Sequence, residues 1–170
     1  MVDTFSRSTG FIRPSTNAEA GPLLLGSAFA ADRDVLRPLV PHIRADDFDD
    51  VGSAQVWEAM NPLIVFGREY SAAAVQAELL RAGCIDGPAK KAILDATTAG
   101  CTGLETELRC HAAIVVGQAY RRRFETWGKA LVDAAANLPE ADLMPLSVRE
   151  GSAAREHEAR LSALRGEVQA

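Results

Sequence analysis

The sequence predicts an all-α fold: a small helical bundle, then a long C-terminal helix. Three observations carry this. Alanine is abundant, β-branched residues do not gather in alternating runs, and only 6% of residues are aromatic, a composition that suits helices better than sheets. Between the glycine and proline breaks, apolar residues recur in steps of three and four. From Leu104 to Leu138 that spacing runs without a proline, with Ala113, Val116, Tyr120, Phe124, Trp127, Leu131, Ala134 and Leu138 on one stripe. As one helix, about 35 residues at 1.5 Å rise extend roughly 50 Å. That is longer than a compact domain of this size needs, so part of the helix is expected to project and pair with something else.

A chain of 170 residues, 48% of them apolar, has room for one core and an appendage. The formal net charge of −5 argues against gripping duplex nucleic acid with the whole surface, which takes a basic chain. Cys84, Cys101 and Cys110 are odd in number and lack framework spacing, which reads as reduced thiols in a cytoplasmic protein. No run approaches the 18 apolar residues of a membrane span. Leu23 to Ala30 ends in Ala28-Phe29-Ala30 and mimics a signal-peptidase site. Its apolar stretch is short, however, and Glu19 stands just before it, so it is read as a buried first helix.

Residues 1–16 are polar and aperiodic and are read as a flexible N-terminal arm. Residues 17–103 form the bundle. Its first helix spans Ala18 to Ala30, with Asn17 as N-cap and Pro22 near the first turn; Gly26 would let another helix approach closely. A second helix begins near Asp32 or Asp34 and is kept short or irregular by Pro38 and Pro41. The acidic loop Arg44 to Asp50 leads to a third helix, Gly52 to about Phe66, with Val56, Trp57, Met60, Ile64 and Val65 inward and Pro62 expected to kink or divide it. Ser71 caps a fourth helix through Arg81, ended by Gly83. A fifth runs from Pro88 to about Thr98, and Gly100 to Gly103 is a turn. The long helix occupies 104–138. Pro139 and Pro145 bracket a linker over 139–152, and a charged C-terminal helix over 153–170 carries Leu161, Leu164 and Val168 on a thin apolar face.

Little in the sequence points to catalysis. The phosphate-wrapping loop is absent, since Gly87-Pro88-Ala89-Lys90-Lys91 has the wrong spacing. Asp47, Asp49, Gly52 and Glu58 occupy positions one, three, six and twelve of a calcium loop, but Val51 at position five offers no side-chain oxygen. Cys101, Cys110 and His111 suggest part of a zinc site. A fourth ligand is missing nearby, and Cys110 and His111 point about 100° apart on a helix. Asp46 and Asp47 sit in a loop that reads as solvated, and His42, His111 and His157 show no nucleophile–base pattern. No catalytic residue, cofactor or metal is assigned. The run Arg121-Arg122-Arg123 beside Tyr120 and Trp127 is the best interaction candidate; the alternative is that the arginines only solvate an outer face.

The ordered set of local strings resembles the N-terminal domain of DnaB-type replicative DNA helicases. The set comprises Glu19-Ala20, Leu25-Gly26, Asp46-Asp47-Phe48, Trp57 with Met60, Gly67, Leu79 to Gly83, and Ile114-Val115, over about residues 14–138. The resemblance implies a helical bundle with a long hairpin. Hairpins pair two domains, and the pairs build a collar that contacts primase or a helicase loader and carries no catalytic residue. It therefore implies self-association into a homodimer or larger collar, with DNA touched only indirectly or weakly and no membrane contact. The expected interface is Tyr120, Arg121, Arg122, Arg123, Phe124, Trp127, Leu131 and Leu138, with Ile114 and Val115 rooted in the bundle.

Three departures stand out. Pro62 interrupts a helix that is regular in relatives, and Leu63 to Phe66 are apolar where relatives are polar, which points to burial against an extra partner. The helicase ATPase domain does not follow within these residues. The resemblance thus implies either a helicase fragment, non-enzymatic by itself, or a free-standing relative that joins or blocks a helicase collar. A small all-α metal-binding protein and a DNA-binding protein using Arg121 to Arg123 are the readings from other classes.

Overall fold

The computed structural model describes residues 20–84 and 87–166. The expected N-terminal arm, the Asn17 cap and Val168 lie outside those residues. Seven α-helices and no strand are found among the described residues. They are α1 (Ala20–Ala30), α2 (Arg33–Leu36), α3 (Val51–Val65), α4 (Ala72–Arg81), α5 (Gly87–Thr98), α6 (Glu105–Asn137) and α7 (Glu140–Arg165). None of them is long and apolar enough to cross a membrane.

The first helix is central because it is apolar nearly all round. Leu24, Leu25, Ser27 and Ala28 are fully buried, and α1 packs against α3, α5 and α6. Gly26 allows this: a Cβ there would lie 2.6 Å from the Ala96 carbonyl oxygen of α5. Pro38 and Pro41 hold α2 to a single turn, followed by a 3-10 turn at Val40–His42 and another at Ala45–Asp47. Asp50 caps α3, accepting from Ser53 N at 2.6 Å. Trp57, fully buried on α3, donates Nε1–H to the Ile43 carbonyl at 3.3 Å and packs on Phe48, so the chain between α2 and α3 is tied to the core. Ser71 caps α4 through Ala74 N, and Gly83 ends it at φ +69°.

Three expectations are corrected. Pro62 neither divides nor ends α3, which continues to Val65; it sits in the last turn, where its missing N–H removes one bond close to the end. Of the apolar run after it, Leu63 and Ile64 fill the chain's own core, while Val65 and Phe66 are exposed. The linker expected over 139–152 is helix. Only Leu138 and Pro139 separate α6 from α7, which starts at Glu140 and includes Pro145. Pro145 lies in the second turn of α7, where it removes one backbone hydrogen bond, and the weak apolar periodicity of this stretch reflects a helix that touches only one neighbour. Leu138 and Pro139, both extended, make the reversal, and α6 and α7 form an antiparallel hairpin rooted in the bundle.

Candidate functional site

The root of the hairpin is pinned by a buried polar cluster. The 3-10 turn at Ala45–Asp47 presents Asp47, 1% exposed, toward α7. Arg160 of α7 donates Nη1 to Asp47 Oδ2 at 2.5 Å and Nη2 to Oδ1 at 3.0 Å, and Nη1 also reaches the His42 carbonyl at 3.1 Å. Arg44 N donates to the same carboxylate at 2.8 Å. His157, also buried, donates Nε2–H to the Val116 carbonyl of α6 at 2.9 Å and lies 3.6 Å from Asp47 Oδ1. Its ring packs on Tyr120. Burial, chiefly, holds the His157 pKa below its ordinary value, and the nearby Arg160 acts in the same sense. Of the two acids expected to be solvated, Asp47 is therefore a buried anchor, whereas Asp46 is exposed. Three acids of the loop are engaged within the chain: Asp47 by Arg160, Asp49 by Arg122 at 3.6 Å, and Asp50 by α3.

Farther from the root the hairpin is thin. Between Phe124 and Glu150 the only buried residue is Ala134. Here α6 and α7 have each other and little else, a two-helix arm that exposes Phe124, Val132, Leu138, Met144 and Val148. Phe124, Gly128, Val132 and Ala136 follow in steps of four along an outward groove of α6. Glu125, Lys129 and Asp133 flank it, with Lys129 paired to Glu125 at 2.6 Å.

The structure divides the expected interface residues into two groups. Tyr120, Arg122, Arg123 and Trp127 turn to partners within the chain. Tyr120 packs on His157, Arg122 Nη2 donates to the Asp47 carbonyl at 2.7 Å, and Arg123 Nη1 lies 3.7 Å from Glu150 of α7. Trp127 lies against Gly151, where an added Cβ would sit 3.9 Å from its ring. Arg122, Arg123 and Trp127, together with Asp46 and Asp47, border a cleft of about 300 Å³ between head and arm. Leu131 is half-buried, whereas Arg121, Phe124 and Leu138 are exposed. Val115 is buried as expected for a root, but Ile114 is 41% exposed. The consecutive arginines thus do not form one patch, because successive residues splay around a helix. Sequence spacing did not single out Val132, Met144 and Val148, since a stripe of steps of three and four does not say which side the second arm covers.

One group of metal-ligating side chains converges among the described residues: Cys101, Glu107 and His111, where the turn before α6 meets its first two turns. Cys110, the neighbour weighed with His111 on spacing alone, is exposed.

No protein-family model matches the chain, and no curated protein does. Among solved structures it is similar to the N-terminal domain of DnaB helicase from Mycobacterium tuberculosis. The TM-score is 0.58 at 24% sequence identity, over 78% of this chain and 92% of that one. The likeness establishes the fold, an all-helical domain of the kind found at the N-terminus of that helicase.

Proposed function

We propose that the chain is a non-catalytic interaction and oligomerisation domain of a DnaB-type replicative helicase. In this reading its hairpin arm pairs with the arm of a second copy to build a collar, and the collar docks primase or a helicase loader in the cytoplasm. The observation that carries the proposal is the two-helix arm. From Phe124 to Glu150 it has one buried residue and leaves Phe124, Val132, Leu138, Met144 and Val148 in solvent. Two helices with so little shared core are marginal by themselves, and Phe124 and Val132, exposed along one groove of α6, suit a partner helix. The shared fold with a helicase N-terminal domain supports the same reading.

Light scattering coupled to size-exclusion chromatography over a wide concentration range tests it. The chain is expected to be at least dimeric, and Phe124→Asp with Val132→Asp is expected to give a monomer whose head stays folded, with amide exchange in α1 and α3 as in the parent. A chain that stays monomeric at the highest concentration, or a double variant that still dimerises, removes the pairing arm from the proposal. Binding of purified primase or loader to the wild-type collar tests the docking role.

A further inference from the structure

We propose that Cys101, Glu107 and His111 form a binding site for a divalent zinc-class metal ion, with the fourth position left to water. The thiol sulfur, a carboxylate oxygen and an imidazole nitrogen lie within 4.8 Å of one another. Thiolate, imidazole and carboxylate are the donors zinc takes, and three protein ligands with one open position is an established arrangement for it. In a tetrahedral site the donor atoms stand about 3.5 Å apart, given zinc–ligand bonds of roughly 2.0–2.3 Å. Side-chain rotations that move the donors inward by about 1 Å therefore close the site. Glu107 and His111 are four residues apart on α6 and so share one face of that helix, while Cys101 comes from the turn that precedes it.

The surroundings hold each donor in place. Ser27, fully buried on α1, has its Oγ 2.7 Å from His111 Nδ1. With Nδ1–H donating to that hydroxyl, Nε2 keeps the lone pair a metal needs. Glu107 Oε2 accepts from Thr102 N at 2.8 Å and from Thr102 Oγ at 2.5 Å, and the backbone of Gly103 bonds to the same carboxylate, which orients it. Cys101 Sγ lies beside α1: the thiol donates to the Leu23 carbonyl at 3.4 Å, a bond given up when the proton leaves, and a Cβ on Gly26 would stand 3.1 Å from the sulfur. All three ligands are half-buried, so the site is partly open to solvent. A thiolate, a carboxylate and a neutral imidazole around a divalent ion sum to zero charge, which lowers the cost of placing the ion in a partly desolvated site. Binding displaces the thiol proton of Cys101 to solvent. It also fastens the turn between α5 and α6 to the base of the hairpin helix, and none of this depends on what the hairpin binds.

The full chain with Cys84→Ser and Cys110→Ser, which removes the two exposed thiols, is titrated with Co²⁺ alone. The expected result is one ion per chain, a thiolate-to-cobalt charge-transfer absorption, and displacement by Zn²⁺. Cys101→Ser on that background is expected to lose the absorption. Ser27→Ala is expected to weaken affinity about 10–100-fold while retaining the absorption, as loss of a ligand-orienting partner does. As a second measurement, Zn²⁺ is expected to raise the melting temperature of the chain that keeps Cys101 and not that of Cys101→Ser, by linkage of binding to folding. Circular dichroism confirms that each variant is helical. Absence of the charge-transfer absorption, or its persistence in Cys101→Ser, overturns the site.

Discussion

Asp47 and Arg160, 113 residues apart in sequence, meet in a two-pronged ion pair of 2.5 and 3.0 Å with the carboxylate almost fully buried. The pair joins the loop before α3 to the last third of α7, so the second arm of the hairpin is held by the head and not only by α6. A buried pair of this kind contributes little net stability over an apolar replacement, but breaking it on one side leaves a charge without a partner.

Asp47→Asn is therefore expected to destabilise the chain by about 3–5 kcal/mol, because Arg160 stays buried without its counter-charge. Replacing both partners together, Asp47→Leu with Arg160→Met, is expected to cost clearly less. Urea unfolding of the two variants beside the parent measures the difference; equal losses would mean that the pair acts as packing and not as paired charge.

Stability is expected to fall as pH drops below 6.5. His157 is held neutral in the folded chain, with a pKa below its ordinary 6.5, chiefly by burial. His42 shifts the same way, by burial and then by Arg160 and Arg109. Above 6.5 both states carry these imidazoles neutral and stability is complete. Below it the unfolded chain takes up protons that the folded chain refuses, and stability is lost until pH reaches the folded values. His157→Gln, which keeps a donor for the Val116 carbonyl, is expected to flatten this fall, read from melting temperatures across that range. An unchanged slope would assign the pH dependence to other groups.

Trp127 is expected to hold the arm together more than it holds a partner. Its ring lies on Gly151 of α7 and 5.5 Å from the Phe124 ring. Trp127→Ala should speed amide hydrogen exchange in residues 140–151 while exchange in α1 and α3 stays as in the parent. Loss of self-association with unaltered exchange would instead place the tryptophan at the interface between copies.

Gly103 and Gly100 separate backbone strain from steric overlap. Both have φ near +70°, which costs an alanine about 1–2 kcal/mol. At Gly100 nothing stands within 4 Å of an added Cβ, whereas at Gly103 it would sit 2.3 Å from the Ala30 carbonyl carbon. Gly103→Ala is expected to lose clearly more stability than Gly100→Ala in the same unfolding measurement, since the obstruction is backbone and cannot rotate away. Similar losses would show that the turn can shift off α1.

Local signals carried most of the fold. Ser71 and Gly83 bound α4, Pro38 and Pro41 keep α2 to one turn, and the close approach at Gly26 and the core position of Leu24 and Leu25 follow from residues read in place. These features depend on neighbours a few residues away, whose backbone preferences are visible in sequence. The N-terminal half of α7 was not legible. It carries Pro145 and buries little, so neither composition nor periodicity marks it as helix.

The unbroken spacing from Leu104 to Leu138 fixes one continuous rod, longer than its domain needs, before any contact is known. How the sides of that rod are used depends on what packs against them. Trp127 and Ala134 turn toward α7, Phe124 and Val132 face outward, and Asp47, Cys101, Glu107 and His111 find partners. The physical reason is that helical spacing fixes which residues share a face, whereas the choice of the face that is covered depends on chain segments up to 113 residues away.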